Sequence, residues 1–494
     1  MKIKIFNLPD FNARQSGRRG AKIENKIFNL PDLYARQSGR KGAEMGTQNI
    51  SLDRASIYQI SLRAFTPEGT LKAAEKLLPF VASLGPKYVQ LLPVVQADDG
   101  EDQAYWSKRQ MASGTGNPKN NYRMKDYFAI DCEYGSEADL RDFVLAAHRL
   151  GLGVLLDLVY FHCGPNAVFL EEHPDFVKRN DDGTPYTGEW NFPVLNYDSL
   201  GLREYLWKNM EYFVEKFDID GYRCDVGFMI PLDFWAEGVK RIRAIKPDLY
   251  MVNEGYNPDY LRVFDVNYFY DGCFDAVPVA QGKMTARQFC EKWEACRQSL
   301  PEGGGRMLHF IDNHDVASDC GQERHEKTIG TAGVDALLAL DFLLDGVPFV
   351  FNGYEVADDL KHNMFSNRFY GKDATINWAN ALCEKGRKRT QLLRKLFRLH
   401  GENDALCTRD LVWGKHTAPD QVAAFYRPDV GRPWFASVNM TDTPVSFVVE
   451  EIPETLHLME AELAENAKWA FRDAHMEIQL LGYGYLAGPY PGLG

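Results

Sequence analysis

The sequence predicts an α/β fold, a (β/α)8 barrel with a short insertion after the third strand and an antiparallel β-sandwich at the C-terminal end. From about residue 57 to residue 400, short apolar segments alternate with amphipathic helical segments, which is typical of parallel βαβ units. Three of the apolar segments end in a carboxylate, and the carboxyl ends of barrel strands meet at one face. Beyond residue 406, short β-type segments replace the helices.

Individual elements can be assigned from this pattern. The first helix ends at Gly85, and Ser136 with Asp139 forms a capping box at the start of another. Pro231 starts the helix after the fourth strand. The predicted barrel strands are Ile57–Ile60, Tyr88–Pro93, Gly153–Tyr160, Asp220–Val226, Leu249–Glu254, Cys273–Val277, Met307–Asp312 and Val347–Asn352. The predicted C-terminal strands are Gln421–Tyr426, Trp434–Val438, Val445–Val449 and Met476–Leu481.

Composition limits the class of protein. The chain has 494 residues, of which 45% are hydrophobic and 25% charged, as in an ordinary globular protein. The net charge of −13 argues against nucleic acid and anionic membranes as partners. No run of apolar residues is long enough to span a membrane. Nine scattered cysteines predict free thiols, and with no signal peptide in the sequence we expect a cytoplasmic location.

Residues 1–48 differ from the remainder of the chain. The hexapeptide at Ile5–Asp10 recurs at Ile27–Asp32, and the one at Ala13–Arg18 recurs at Ala35–Arg40. Because the segment is basic and lacks a core pattern, we expect a disordered or vector-derived extension. A targeting segment, or an arm that docks on the acidic body, are the alternatives.

These features predict four parts of the chain. Residues 1–48 form the basic arm, residues 49–162 and 201–400 the barrel, residues 163–200 the inserted loop domain, and residues 401–494 the C-terminal domain.

The segment Asp220–Val226 combines a buried-strand pattern with a pair of charges. Period-2 alternation places Arg223 and Asp225 on the same face of the strand. Two opposite charges on a buried face need each other or a polar cavity to offset their desolvation. A structural ion pair is one interpretation and a catalytic site at the strand end is the other. The second gains support because two further strand-like segments end at Glu254 and at Asp315.

Five ordered segments resemble signature regions of the α-amylase family of glycoside hydrolases, whose catalytic domain is a TIM barrel. They are Asp157–His162, Leu195–Asp198, Gly221–Asp225, the segment that ends at Glu254, and Asn313–Asp315. The resemblance implies a retaining glycoside hydrolase that cleaves α-glucosidic bonds in α-glucans or maltooligosaccharides through a covalent glycosyl-enzyme intermediate.

Residue roles follow from the matched positions. The resemblance implies that Asp225 is the nucleophile, Glu254 the general acid and base, and Asp315 a carboxylate that binds sugar hydroxyls. Arg223 would lower the pKa of Asp225. Tyr122 would stack on the sugar at the cleavage site, and two histidines, His162 and His314, would bond its hydroxyls.

Two positions depart from the family pattern. Phe161 stands where the family usually has an asparagine that binds calcium, so we expect no required cofactor and a calcium site that lacks one ligand. Phe228 and Met229 stand where family amylases often have Lys-His on the leaving-group side. An α-1,6-glucosidase and an α-glucan transglycosylase on the same scaffold are therefore alternative functions. A non-catalytic carbohydrate-binding relative would be expected to lack one of the three carboxylates, and all three are present.

Overall fold

The computed structural model describes residues 54–268, 275–302, 304–318, 323–371, 375–429, 431–472 and 474–492. The predictions made for the basic arm, residues 1–48, lie outside these ranges. Contacts divide the chain into residues 1–48 and residues 49–494, and the description concerns the second unit. Within the described ranges, no helix has both the length and the apolarity that crossing a membrane requires.

Eight parallel strands close into a barrel, which confirms the predicted (β/α)8 fold. The order around the barrel is β1-β10-β9-β8-β7-β6-β5-β2. The barrel strands are β1 Ile57–Ile60, β2 Tyr88–Leu91, β5 Gly153–Leu158, β6 Gly221–Cys224, β7 Tyr250–Asn253, β8 Val266–Tyr268, β9 Arg306–His309 and β10 Val347–Phe351. Nearly all their residues are buried, because helices cover the outside and side chains fill the inside.

Helices follow the barrel strands along the chain. The predicted capping box forms at Ser136, whose hydroxyl accepts from the Asp139 N–H, and a second one forms at Thr285. The helices are α1 Leu62–Phe65, α2 Leu71–Glu75, α3 Leu78–Leu84, α4 Lys108–Ala112, α5 Glu137–Arg149, α6 Leu200–Phe217, α7 Leu232–Ile245, α8 Ala276–Ala280, α9 Ala286–Ser299, α10 His314–Ser318, α11 His325–Thr328, α12 Gly330–Leu343, α13 Glu384–Glu402 and α14 Asp404–Cys407.

Glycine at the start of β6 is a steric requirement. A Cβ atom at Gly221 would lie 1.9 Å from the carbonyl oxygen of Tyr250 on the neighbouring strand. In the register of these strands, Arg223 of β6 lies beside Val252 of β7 on one side and beside Asp157 of β5 on the other. The sequence around the charged pair is therefore shaped by strand packing as well as by the charges.

The sixth barrel strand was predicted wrongly. It was expected near Cys273–Val277, but it is Val266–Tyr268, and Ala276–Ala280 forms the helix α8. Residues 273 and 274 of the predicted strand lie outside the described ranges. Within the described ranges, the strand comprises Val266–Tyr268, and polar Asn267 at its centre interrupts the apolar run on which the prediction relied.

The loops on the carboxyl face contain structure that the sequence did not predict. Val95–Ala97 and Met124–Ile130 form an antiparallel pair, β3 and β4, and α4 lies between them. The insertion at residues 163–200 is held by isolated bridges such as His162 to Val194, with short 3-10 turns at Val168–Leu170 and Pro174–Phe176. The insertion has a small apolar core: Phe169, Phe176, Phe192 and Val194 are buried and Trp190 is half-buried.

The C-terminal strands form an antiparallel sheet, as predicted, and one long strand joins all of it. The strands are β11 Val412–Trp413, β12 Val422–Arg427, β13 Trp434–Asn439, β14 Val445–Val449, β15 Leu463–Arg472 and β16 His475–Pro489. One edge of β16 pairs with β14 and then with β13, while β15 lines its other edge.

The sheet packs against α12, ten of whose 14 residues are buried. Arg427 fixes this contact. Its buried guanidinium donates to the carbonyl oxygens of Leu343 and Leu344 at 2.7 and 2.6 Å, and to those of Leu406 and Thr408.

Candidate active site

One buried guanidinium gathers three carboxyl groups at the carboxyl ends of β5, β6 and β7. The Nη1 atom of Arg223 donates to Asp157 Oδ1 and Oδ2 at 2.8 and 2.9 Å, and to Asp225 Oδ1 at 2.9 Å. Its Nη2 atom lies 2.7 Å from Glu254 Oε2. The structure therefore brings together the predicted nucleophile, the predicted acid and the predicted arginine, and it places Asp157 against the same guanidinium.

The charges in this cluster do not balance, because one cation faces three carboxyl groups. Burial raises the pKa of Asp225 well above its ordinary value, and the nearby carboxylates add to this, while Arg223 lowers it. Burial likewise raises the pKa of Asp157 to about 7, again against the effect of Arg223. Arg223 lowers the pKa of Asp225, as predicted, but burial and the nearby carboxylates raise that pKa by more. The carboxyl groups around Arg223 therefore retain a proton near neutral pH. They share this proton, so it is not assigned to one of them.

The residue after Asp225 has an unusual backbone conformation. Val226 adopts φ 38° and ψ 39°, in the left-handed region that β-branched residues rarely enter. This conformation aims the Val226 N–H at Glu254 Oε2, at 2.7 Å. Backbone strain at this position is therefore coupled to the orientation of the predicted acid.

Tyr122 and His314 form a second predicted pair. Their rings stack with centroids 5.5 Å apart, and the Tyr122 hydroxyl lies 2.7 Å from His314 Nε2 and 3.0 Å from Asp157 Oδ2. Gln59 Oε1 accepts from both the backbone N–H and Nδ1 of His314, each at 3.2 Å, so Nδ1 carries a proton. Burial lowers the pKa of His314 to about 4, and the ring is neutral at pH 7.

The Tyr122 hydroxyl has one proton for two neighbours. It donates to Asp157 Oδ2 at 3.0 Å, and this bond lowers the pKa of that carboxyl group against the larger effect of burial. The second neighbour is His314 Nε2, 2.7 Å from the hydroxyl.

His162 lies beside this pair. Its Nε2–H donates to the Tyr122 carbonyl oxygen at 2.9 Å, and its ring packs on Phe192 and Trp190. Burial lowers the pKa of His162 to about 4, so the ring is neutral at pH 7. His162 thus holds the backbone of Tyr122 in place.

Asp315, the third predicted carboxylate, begins α10 and has a partner that the sequence analysis missed. Arg109 Nη1 donates to Asp315 Oδ1 at 2.7 Å, and Arg109 Nη2 donates to the Asp315 carbonyl oxygen at 2.9 Å. Burial opposes the ionisation of Asp315, but His314 and Arg109 prevail and hold its pKa below the ordinary value. Asp315 is therefore ionised throughout the range in which the Asp157 proton titrates.

The residues near Phe161 do not fit a calcium ion. The Phe161 side chain packs on the rings of His162 and Trp190 and supplies no oxygen ligand. Among the residues that the structure describes, no group of three or more acidic, histidine or cysteine side chains is placed to hold a metal ion.

Comparison with known proteins shows similarity to glycoside hydrolases. A profile of the alpha-amylase catalytic domain matches residues 29–184, starting inside the basic arm. A maltogenic alpha-amylase of Bacillus acidopullulyticus is 26% identical over 321 residues, which cover 58% of this chain and 51% of that protein. A malto-oligosyltrehalose trehalohydrolase of Saccharolobus solfataricus is 28% identical over 350 residues, which cover 63% of this chain and 58% of that protein. The chain spans about half the length of these relatives.

Solved structures share the whole architecture. The crystal structure of the maltogenic alpha-amylase AmyB from Thermotoga neapolitana superposes with a TM-score of 0.76 at 24% identity, covering 89% of this chain and 99% of that one. An alpha-amylase from Lactobacillus plantarum superposes with a TM-score of 0.72 at 22% identity. Over residues 29–184 the chain resembles the catalytic domain of the α-amylase family of glycoside hydrolases. At these identities, the likeness to the two solved structures shows the fold of this chain.

Arg123 is the second important residue that the sequence analysis missed. Its buried guanidinium donates to four backbone carbonyl oxygens at 2.8–3.1 Å, and its Nη2 atom lies 3.4 Å from Asp98 Oδ1. The four carbonyl groups belong to Asp98, Gly100, Tyr105 and Pro118. Arg123 therefore gathers the whole loop that carries α4 and Arg109.

Asp98 extends this connection to the insertion. Its carboxylate accepts from the backbone N–H and the side-chain amide of Asn166, at 2.8 and 3.2 Å. Four basic residues at 108–123, in a loop of an acidic chain, were a signal for such contacts. Their acidic partners are distant in sequence, so the pairs themselves were not predictable.

Proposed function

We propose that the protein is a retaining glycoside hydrolase that cleaves α-glucosidic bonds in α-glucans or maltooligosaccharides. Asp225 attacks the anomeric carbon and forms a glycosyl ester, while Glu254 protonates the leaving oxygen. Glu254 then removes a proton from water, which opens the ester and gives a product with the original anomeric configuration. Asp315 binds hydroxyls of the sugar that carries the reacting carbon.

The shared contact of Asp225 and Glu254 with Arg223 carries this proposal. Retaining enzymes need two carboxyl groups about 5–5.5 Å apart. Two carboxylates that each contact the same guanidinium, at 2.9 and 2.7 Å, are close enough to work as such a pair. The names of the relatives, a maltogenic alpha-amylase and a trehalohydrolase that acts on a malto-oligosyl compound, support an α-glucan as the substrate.

The test is hydrolysis of maltooligosaccharides followed by NMR. We expect the α-anomer of the product to appear first, and then to mutarotate. Appearance of the β-anomer first would contradict the double displacement, and no hydrolysis of any α-1,4 or α-1,6 linked glucan would contradict the substrate class.

Transglycosylation is a second candidate, and an apolar surface favours it. Phe228 and Tyr256 follow the two catalytic carboxylates, and their rings lie 5.5 Å apart. Met229, next to them, is 41% exposed. Such a surface can stack an acceptor sugar, which then competes with water for the glycosyl ester. Incubation with one maltooligosaccharide decides between the two, because a transferase produces chains longer than the substrate.

We also propose that the enzyme needs no calcium. The guanidinium of Arg123 already supplies a positive charge to Asp98 and to four carbonyl groups, which are the kind of ligands that calcium takes. Activity and melting temperature should therefore not change in EDTA. A fall of several degrees that calcium restores would contradict this, since a bound metal stabilises the native state. The cytoplasmic location expected from the sequence remains a proposal.

A further inference from the structure

The contact between Arg109 and Asp315 crosses the mouth of the barrel. Arg109 lies on α4, in the loop after β2, and Asp315 lies at the start of α10, directly after β9. In the barrel order, β1 and β10 separate these two strands. The contact therefore spans the side of the mouth that lies opposite β6 and β7, which carry Asp225 and Glu254.

This placement defines two sides of the site. Glu254 donates its proton to the leaving oxygen, so the leaving part of the substrate extends from the β7 side, where Tyr256 and Met229 are exposed. The retained part, which becomes attached to Asp225, extends towards the opposite side. It meets the Arg109–Asp315 contact there.

Hydrogen bonds fix the loop that carries Arg109, and the Arg109–Asp315 ion pair is exposed to substrate. Gln110, the neighbour of Arg109, donates to the carbonyl oxygens of Asn117 and Pro118 at 2.9 and 3.2 Å, and the Asn117 amide donates to the Phe365 carbonyl at 2.9 Å. The side chains of Arg109 and Asp315 remain 27% and 36% exposed. A fixed loop thus presents this ion pair to the cleft.

We propose that Arg109 is a specificity-determining residue that closes the retained side of the cleft, so that the enzyme cleaves α-glucans close to their non-reducing ends and prefers short chains. The inference rests on the proposed hydrolase function. Arg109 grips both the carboxylate and the backbone carbonyl of residue 315, which blocks a long retained chain. It also leaves Asp315 ionised for binding sugar hydroxyls.

The experiment uses maltoheptaose labelled at its reducing end, because the length of the labelled product identifies the bond that was cleaved. The variants are Arg109→Ala, Arg109→Lys, which keeps the charge but not the two-point grip, and Lys108→Ala, an exposed neighbour on α4 as the matched control. The kcat/KM values for amylose and maltotriose are measured in parallel, together with each melting temperature.

We expect the wild-type enzyme and Lys108→Ala to remove short products from the non-reducing end. Arg109→Ala should cleave internal bonds and raise the amylose-to-maltotriose ratio of kcat/KM by about tenfold, since a charged hydrogen bond is worth such a factor. Arg109→Lys should lie between the two. A change in melting temperature alone, with the same bonds cleaved, would overturn the inference.

Two other outcomes are also decisive. Internal cleavage by the wild-type enzyme would overturn the role of Arg109 but leave the hydrolase function in place. No cleavage by the wild-type enzyme would overturn the hydrolase function itself, and the inference with it.

Discussion

Replacing Arg123 with methionine tests whether the Arg123 guanidinium stabilises its loop in the way that a bound metal cation would. Methionine keeps much of the apolar stem of arginine but removes the charge and the donors. The substitution leaves Asp98 without its buried cation and removes one donor from each of four carbonyl groups. The carbonyl oxygens of Gly100 and Pro118 keep the donors Trp106 and Gln110. Breaking a buried ion pair from one side costs about 3–5 kcal/mol.

The structure favours the lower part of that range. Asp98 keeps its hydrogen bonds from Asn166 and from the Gly100 N–H, so its charge stays partly compensated after the substitution. We therefore expect Arg123→Met to lose about 3 kcal/mol of unfolding free energy. Asp98→Asn combined with Arg123→Met should recover part of this loss, because no uncompensated charge remains.

A matched control lies two residues further along the chain. Lys125 pairs with Asp99 at 3.0 Å near the surface, and such pairs contribute about 0–1 kcal/mol. Urea denaturation followed by circular dichroism should show a small effect for Lys125→Met and a large one for Arg123→Met. Limited proteolysis of the native enzymes should cut the loop at residues 98–121 faster in Arg123→Met. Equal stability of the two variants would refute the argument that Arg123 holds the loop.

Three further predictions concern the site. Asp225→Asn and Glu254→Gln should each lower kcat by about 10³-fold or more with unchanged melting temperatures, and a variant that kept a tenth of the activity would remove that residue from its role. Val226→Gly should be more stable than Val226→Ala by about 1 kcal/mol, because only glycine adopts the left-handed conformation freely, and the reverse order in urea denaturation would disprove the strain. His162 has a folded pKa of about 4, below its ordinary value, so its contribution to stability is complete above pH 6.5 and is lost as pH falls towards 4. The melting temperature of His162→Gln should therefore fall less over this interval than that of the wild type, and parallel curves would contradict it.

The structural features that depend on local sequence pattern were predicted correctly. The limits of β1 and β14 agree with the prediction, and the rule that strand ends converge correctly grouped Asp225 with Glu254. The prediction failed at β8, where three residues around Asn267 carry no strand pattern and the apolar segment after them forms a helix.

The contacts that the loop residues make could not be predicted from the hydrophobic pattern of the sequence. Arg109 contacts a residue 206 positions away, and Asp98 contacts Asn166 across 68 positions. Such contacts depend on how the loops after different strands approach each other, which hydrophobic period does not encode. The strain at Val226 was equally hidden, since valine is a common residue at the end of a buried strand.

The contact between Arg427 and α12 limits how this chain can be recombined with its relatives. A chimaera that joined this barrel to a foreign C-terminal sheet would leave the carbonyl groups of Leu343 and Leu344 without their charged donor. It would also present the apolar face of α12 to a surface that did not evolve with it. A crossover before Gly330 would keep this contact, but it would exchange the barrel strand β10 Val347–Phe351 together with the helix and the sheet.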